Sequence, residues 1–171
     1  MKNLIIALSG GCFSGKTTTM EKLKEYFGDK IVIAKELIRE RLDDEHKTID
    51  EIRKEPKLYF ETQKKIILNK ANYESDIIKN NDSKIIVLDR AFSDSLFYYI
   101  FYIDKAFFND NMWQEYLEFL KWLIKYAEDM FDTYDLTIEF EPINKKCEDV
   151  KYRPVYIQHI KYIENIYSKS I

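Results

Sequence analysis

Short runs of almost wholly apolar residues recur along the chain, and each is followed by a longer stretch in which apolar residues return every three or four positions. The first run, Asn3 to Ser9, carries Leu4-Ile5-Ile6-Ala7-Leu8 and predicts a buried strand. Lys30 to Ala34, Lys84 to Leu88 and Leu136 to Phe140 predict three more. Helical periodicity fills the gaps. One helix spans about Lys16 to Phe27, where Gly28 stops it. A long one begins near Pro56 and gathers Phe60, Ile67, Ala71 and Ile78 on one face. The clearest stripe is Trp113, Leu117, Leu120, Ile124, Ala127 and Phe131, which is expected to face the core. Pro154 suits the first position of a last helix whose Tyr156, Ile160, Ile163 and Tyr167 face inward. Strands alternating with helices predict an α/β fold, with a mostly parallel sheet covered on both sides.

Glycine is scarce in this chain, yet three of its four glycines fall within Gly10-Gly11-Cys12-Phe13-Ser14-Gly15-Lys16-Thr17. The run fits the phosphate-cradling pattern GxxxxGK[ST] without a mismatch, and it lies between a strand and a helix, as that pattern requires. Successive backbone N–H groups and the positive end of the helix favour an anion there. The β-phosphate is expected in this nest, with Gly10, Gly11, Cys12, Phe13, Ser14, Gly15, Lys16, Thr17 and Thr18 around the nucleotide. Lys16 can reach the β and γ oxygens, and the Thr17 hydroxyl is placed to ligate Mg²⁺. ATP is the expected nucleotide, with GTP left open. A GTP switch would need a base-reading Asn-Lys-x-Asp after a strand. The nearest match, Asn69-Lys70-Ala71-Asn72, ends wrongly and lies within a helix.

Two carboxylates follow apolar strands. Ile85-Ile86-Val87-Leu88 ends in Asp89, the form of a strand that delivers a carboxylate to a metal beside the phosphate loop, although an ordinary turn residue would look the same. The next residue is Arg90, where ATP-hydrolysing motors commonly place Glu. An arginine can offset the charge of a transferred phosphoryl or hold an anionic acceptor, but it cannot activate water, so transfer is favoured over hydrolysis. Pairing of Arg90 with a surface carboxylate stays open. Glu36 follows Ile31-Val32-Ile33-Ala34 and should stand at the same sheet edge. It is the preferred base or acceptor-orienting group, with Asp89 mainly on the metal or its waters. Arg39, one helical turn on, could reach the same acceptor. The segment Glu36 to Arg41 also reads as a solvated helix start with local ion pairs.

Composition narrows the partners. The 171 residues suit one domain with a single core. Lys and Arg number 27 against 30 Asp and Glu, a net charge of −3 that disfavours nucleic acid as the main partner. The N-terminal apolar run is too short for a membrane span or signal segment, so a cytoplasmic protein is expected. Cys12 and Cys147 are too few and too distant for a disulfide framework. His46 and His159 show no triad or metal pattern. The 13 Tyr and 11 Phe carry no function by themselves. Nothing in the sequence sets the oligomeric state, and a homodimer stays open.

With these pieces in place the chain resembles the P-loop nucleoside and nucleotide kinase superfamily, and within it the AAA-type ATPase/kinase family that includes nicotinamide riboside kinase domains. Glu36 and Arg39 match a Glu-x-x-Arg after the second strand. Asp89, Arg90, Asp94 and Tyr98 or Tyr99 match an Asp-Arg followed by an acid and a tyrosine. Pro142, Glu148, Asp149 and Arg153 match a lid with acids before an arginine. The resemblance implies a three-layer sheet in the order 2-3-1-4, a single kinase-like domain over 1–171 with a small lid around 142–153, and Arg153 closing over the phosphates with Lys151. It also implies catalytic roles for Lys16, Glu36, Asp89, Arg90 and Arg153, and acceptor contacts from Glu36, Arg39, Arg90 and Asp94. Two departures stand out. Similar kinases usually add a fifth strand and a purine-contacting loop beyond the helix in which this sequence ends, and the lid lacks the usual Asp-Gly before its arginine.

The function expected is ATP- and Mg-dependent phosphoryl transfer to a nucleoside, nucleotide or related small molecule. The alternatives are a nucleotide-binding ATPase or regulatory switch without a small-molecule acceptor, and a polynucleotide 5′-hydroxyl kinase.

Overall fold

Four parallel strands form one sheet in the order β2-β3-β1-β4, comprising β1 (Leu4–Gly10), β2 (Ile31–Ala34), β3 (Ile85–Asp89) and β4 (Leu136–Phe140). The structure, a computed structural model, describes residues 2–11, 14–36, 52, 54–82, 84–101 and 108–141. Each strand is a short β-branched or aliphatic run, the composition expected where both faces are covered. The exception is β4, an edge strand among the described residues, whose Leu136, Thr137 and Glu139 are exposed. Register is set so that Leu8 lies beside Asp89 and Gly10 beside Phe140, while Ala34 lies beside Leu88. All four strands run the same way, and their carboxyl ends therefore meet at one edge.

Helices cover the two faces. On one side α1 (Lys16–Phe27) packs Met20 against Leu8, Ile31 and Val87. On the other, α2 (Pro56–Asn80), α3 (Phe92–Phe101) and α4 (Asp110–Thr133) enclose a larger core around Ile5, Ile86 and Leu88. The period of two along β3 assigns Val87 to one core and its neighbours Ile86 and Leu88 to the other. Helix ends follow local chemistry. Pro56 occupies the first turn of α2, and the Asn109 side chain accepts a hydrogen bond from the Met112 N–H at 2.9 Å to cap α4.

The expected strands and the helices at 16–27, near 56 and through 113–131 are present. The stripe on α4 is rotated from expectation. Its buried residues are Tyr116, Phe119, Leu123 and Met130, whereas Phe131 is 66% exposed and Ile124 is also exposed. Trp113, Leu117, Leu120 and Ala127 only flank the core. The reason is that the apolar arc of α4, opposite its charged residues, is wider than one stripe and the expected stripe runs along its edge, so a single row at spacings of three and four does not choose which part of the arc is buried deepest. Ring packing does: Tyr116 stacks on Tyr99 with centroids 4.9 Å apart, and Phe60 packs against both. These aromatic residues are structural filling between α2, α3 and α4. The helix expected from Pro154 and the lid around 142–153 lie outside the described residues.

Candidate functional site

The loop leaving β1 begins with Gly10 at φ 130°. A Cβ there would stand 2.5 Å from the Phe140 carbonyl oxygen on β4, so both backbone angle and space require glycine. Gly15, at φ 89°, turns the chain into α1 with no side-chain cap. No side chain caps the first helical turn, the arrangement in which a helix start can bind an anion. Ser14 and Lys16 are buried. The Lys16 ammonium folds back over the loop and donates to the carbonyls of Gly10 and Gly11 at 2.8 and 2.7 Å and to Ser14 Oγ at 3.1 Å. Thr17 and Thr18 are exposed at the helix start. Cys12 and Phe13 lie outside the described residues.

The ends of β2 and β3 bring the acids to this loop. Glu36 and Asp89 both line a cleft of about 750 Å³ that also touches Thr17, Met20, Lys24 and Ile33. Arg90 joins the two strand ends. Its Nε donates to Glu36 Oε1 at 2.5 Å, one guanidinium nitrogen lies 3.5 Å from the Gly10 carbonyl and 3.3 Å from the Tyr98 hydroxyl, and the guanidinium carbon sits 5.0 Å from the centre of the Tyr98 ring. The open alternative, a surface ion pair, is therefore not what is found: Arg90 is buried and its partner stands in the cleft.

Burial acts on these acids, and the neighbouring charges separate them. For Glu36, burial alone would raise the carboxyl, but the Arg90 guanidinium, aided by Lys16 and Lys70, outweighs it and leaves Glu36 below its ordinary value. Asp89 is pushed up, first by burial and then by the nearby Glu36 charge, with Arg90, Lys16 and Lys70 offsetting only part. Asp89 shares the cleft with Thr17 at the start of α1. No group of three or more His, Cys, Asp or Glu among the described residues could hold a metal unaided. A Thr17 hydroxyl and one carboxylate nevertheless fit Mg²⁺, which keeps waters and takes substrate phosphate oxygens as its other ligands.

Asp94 is placed differently from expectation. It has no exposed surface, and its Oδ1 accepts from Ser9 Oγ at 2.7 Å, tying α3 to β1 just before the loop. The matching tyrosine is resolved as well, since Tyr98 touches Arg90 while Tyr99 is buried in the core. Arg39 and Arg153 lie outside the described residues. Sequence reasoning missed Lys70 and Glu74. Lys70 Nζ donates to the Asp89 and Arg90 carbonyls at 3.3 and 3.0 Å and pairs with Glu74. A signal existed: Glu74 falls on the Ile67, Ala71, Ile78 stripe, where a charge has no bland place.

No helix among the described residues is long and apolar enough to cross a membrane. No curated protein matches the chain. Among solved structures, the NadR protein in complex with NAD and AMP-PNP superposes with a TM-score of 0.67 at 16% identity, covering 98% of this chain and 41% of NadR. The NadR complex with NR gives 0.59 at 17%, covering 83% and 34%. At such identities the likeness is one of fold, and the chain spans well under half of the NadR length. The AAA domain profile matches residues 5–164, nearly the whole sequence. The chain belongs to the AAA domain family.

Proposed function

We propose that this protein is an ATP-dependent phosphotransferase that uses Mg²⁺ and phosphorylates a nucleoside, nucleotide or related small molecule. The observation that carries the reading is Arg90, which follows the strand-end Asp89 and is held against both Glu36 and the phosphate loop. Phosphoryl transfer needs positioning and charge compensation more than covalent chemistry. Lys16 trades its loop carbonyls for β and γ oxygens. Arg90 offsets charge on the transferred group, and its place excludes the water-activating glutamate of a motor. Glu36 is kept ionised by Arg90, with Oε1 engaged and the second oxygen left to orient or deprotonate the acceptor hydroxyl. Thr17 and Asp89 would hold Mg²⁺, which when bound supplies neutralising charge between the phosphates. Arg39 and Arg153 are proposed for the acceptor and for the phosphates, respectively. The NadR complexes with NAD, AMP-PNP and NR favour an acceptor bearing a ribose.

A mass-resolved screen of nucleosides and nucleotides with ATP and Mg²⁺ tests the reading. One acceptor should gain a phosphate, and Lys16→Ala should lower the rate by about 100-fold or more. Release of free phosphate alone would move the protein to the hydrolase class.

A further inference from the structure

Arg90 is the one non-glycine among the described residues with a positive φ, at 71°. That conformation is costly for a long side chain and persists only where surroundings impose it. The surroundings here are Lys70. Its ammonium donates to the carbonyls of Asp89 and Arg90, one on each side of the Arg90 α-carbon, and lies 5.7 Å from the centre of the Phe92 ring. Lys70 is in turn paired with Glu74, one turn further along α2, and both side chains are nearly buried. Glu74 Oε1 takes the lysine, and Oε2 is buried with no hydrogen-bond partner among the described residues. Burial raises the Glu74 carboxyl, Lys70 draws it back, and the Asp89 charge raises it further.

A buried pair of this kind adds little net stability, because taking both charges out of water costs about as much as their attraction returns. Its geometry has a more specific consequence. Two adjacent carbonyls bound to one cation define the course of the chain from Asp89 through Arg90, and with it the direction in which the guanidinium leaves. We propose that Lys70, locked by Glu74, is a positioning residue that holds this segment so that Arg90 faces Glu36 and the phosphate loop. The consequence for catalysis rests on the transferase reading. The positioning itself does not.

The test replaces the pair by apolar side chains of similar size, Lys70→Met with Glu74→Leu, so that no charge is left buried alone; Lys70→Met by itself is the comparison. The Arg90 Nε proton, assigned by its disappearance in Arg90→Lys, is followed by NMR together with kcat and the nucleotide Kd. In the pair variant its solvent exchange should speed up by about 10-fold or more as the guanidinium leaves Glu36, with kcat down by about 10- to 100-fold and nucleotide Kd within about 2-fold. In the Arg90→Ala background the pair substitution should cost nothing further, since Lys70 acts through Arg90. An unchanged Nε proton, a kcat loss of the same size in the Arg90→Ala background, or a pair variant that does not fold would each overturn the assignment. If the wild-type protein phosphorylates no acceptor, the transferase reading fails by itself while the Nε proton still reports on Lys70.

Discussion

Asp89 and Glu36 are chemically similar groups at neighbouring strand tips, and their surroundings give them opposite behaviour. For Asp89 the folded-state pKa lies above the unfolded one, chiefly through burial. The stability linked to it is fully present below the ordinary value of 3.8 and is lost as pH rises through the folded value. At neutral pH the ionised carboxylate therefore burdens the fold. Asp89→Asn should raise Tm by a few degrees at pH 7, the gain fading as pH falls from the folded value toward 3.8 and gone below it, while phosphoryl transfer falls by about 100-fold. Thermal melts over pH, run beside the acceptor assay, check both halves; a variant less stable at pH 7 would mean that the neighbouring cations outweigh desolvation.

At the scale of elements, α4 shows what periodicity does and does not convey. Its length and existence were legible in the spacing from Trp113 to Phe131, but its exact facing was not, because the apolar arc is wider than one row of side chains and that row runs along its edge. The contrast is measurable. Leu123, fully buried, should cost about 3 kcal/mol when cut to alanine. Phe131→Gln, on the expected stripe but exposed, should change stability by less than about 0.5 kcal/mol in urea unfolding. Comparable losses at both positions would show that the outer face of α4 is covered. The phosphate loop was legible for the opposite reason. Its requirement is local: glycine where φ is positive, a lysine and a threonine at the helix start.

The whole molecule assembles the cleft from segments far apart in sequence. Parallel strands in the order β2-β3-β1-β4 bring residues 10–17, 36 and 89–90 to one edge, and α2 reaches the same edge from below with Lys70. A ligand that binds this assembled edge and not the unfolded chain stabilises it by mass action, by about 2.7 kcal/mol at one hundred times Kd. ATP with Mg²⁺ at that excess should raise Tm by about 5–10 °C, and Lys16→Ala should remove most of the rise. Equal shifts in the variant and the wild type would place the nucleotide elsewhere.

The amino-acid sequence alone determined the α/β class, the positions of the four strands and of α1, α2 and α4, and the glycine turn between β1 and α1, because each depends on residues within one turn or one strand. It marked Glu36, Asp89 and Arg90 as strand-end groups for the same reason. Only the tertiary structure decided that Arg90 turns toward Glu36, that Tyr98 and not Tyr99 meets it, that Asp94 is sealed against Ser9, and that Lys70 and Glu74 stand behind the site. Those outcomes depend on which face each helix buries and on charges brought together across 20 to 85 positions of chain, distances over which spacing carries no direction.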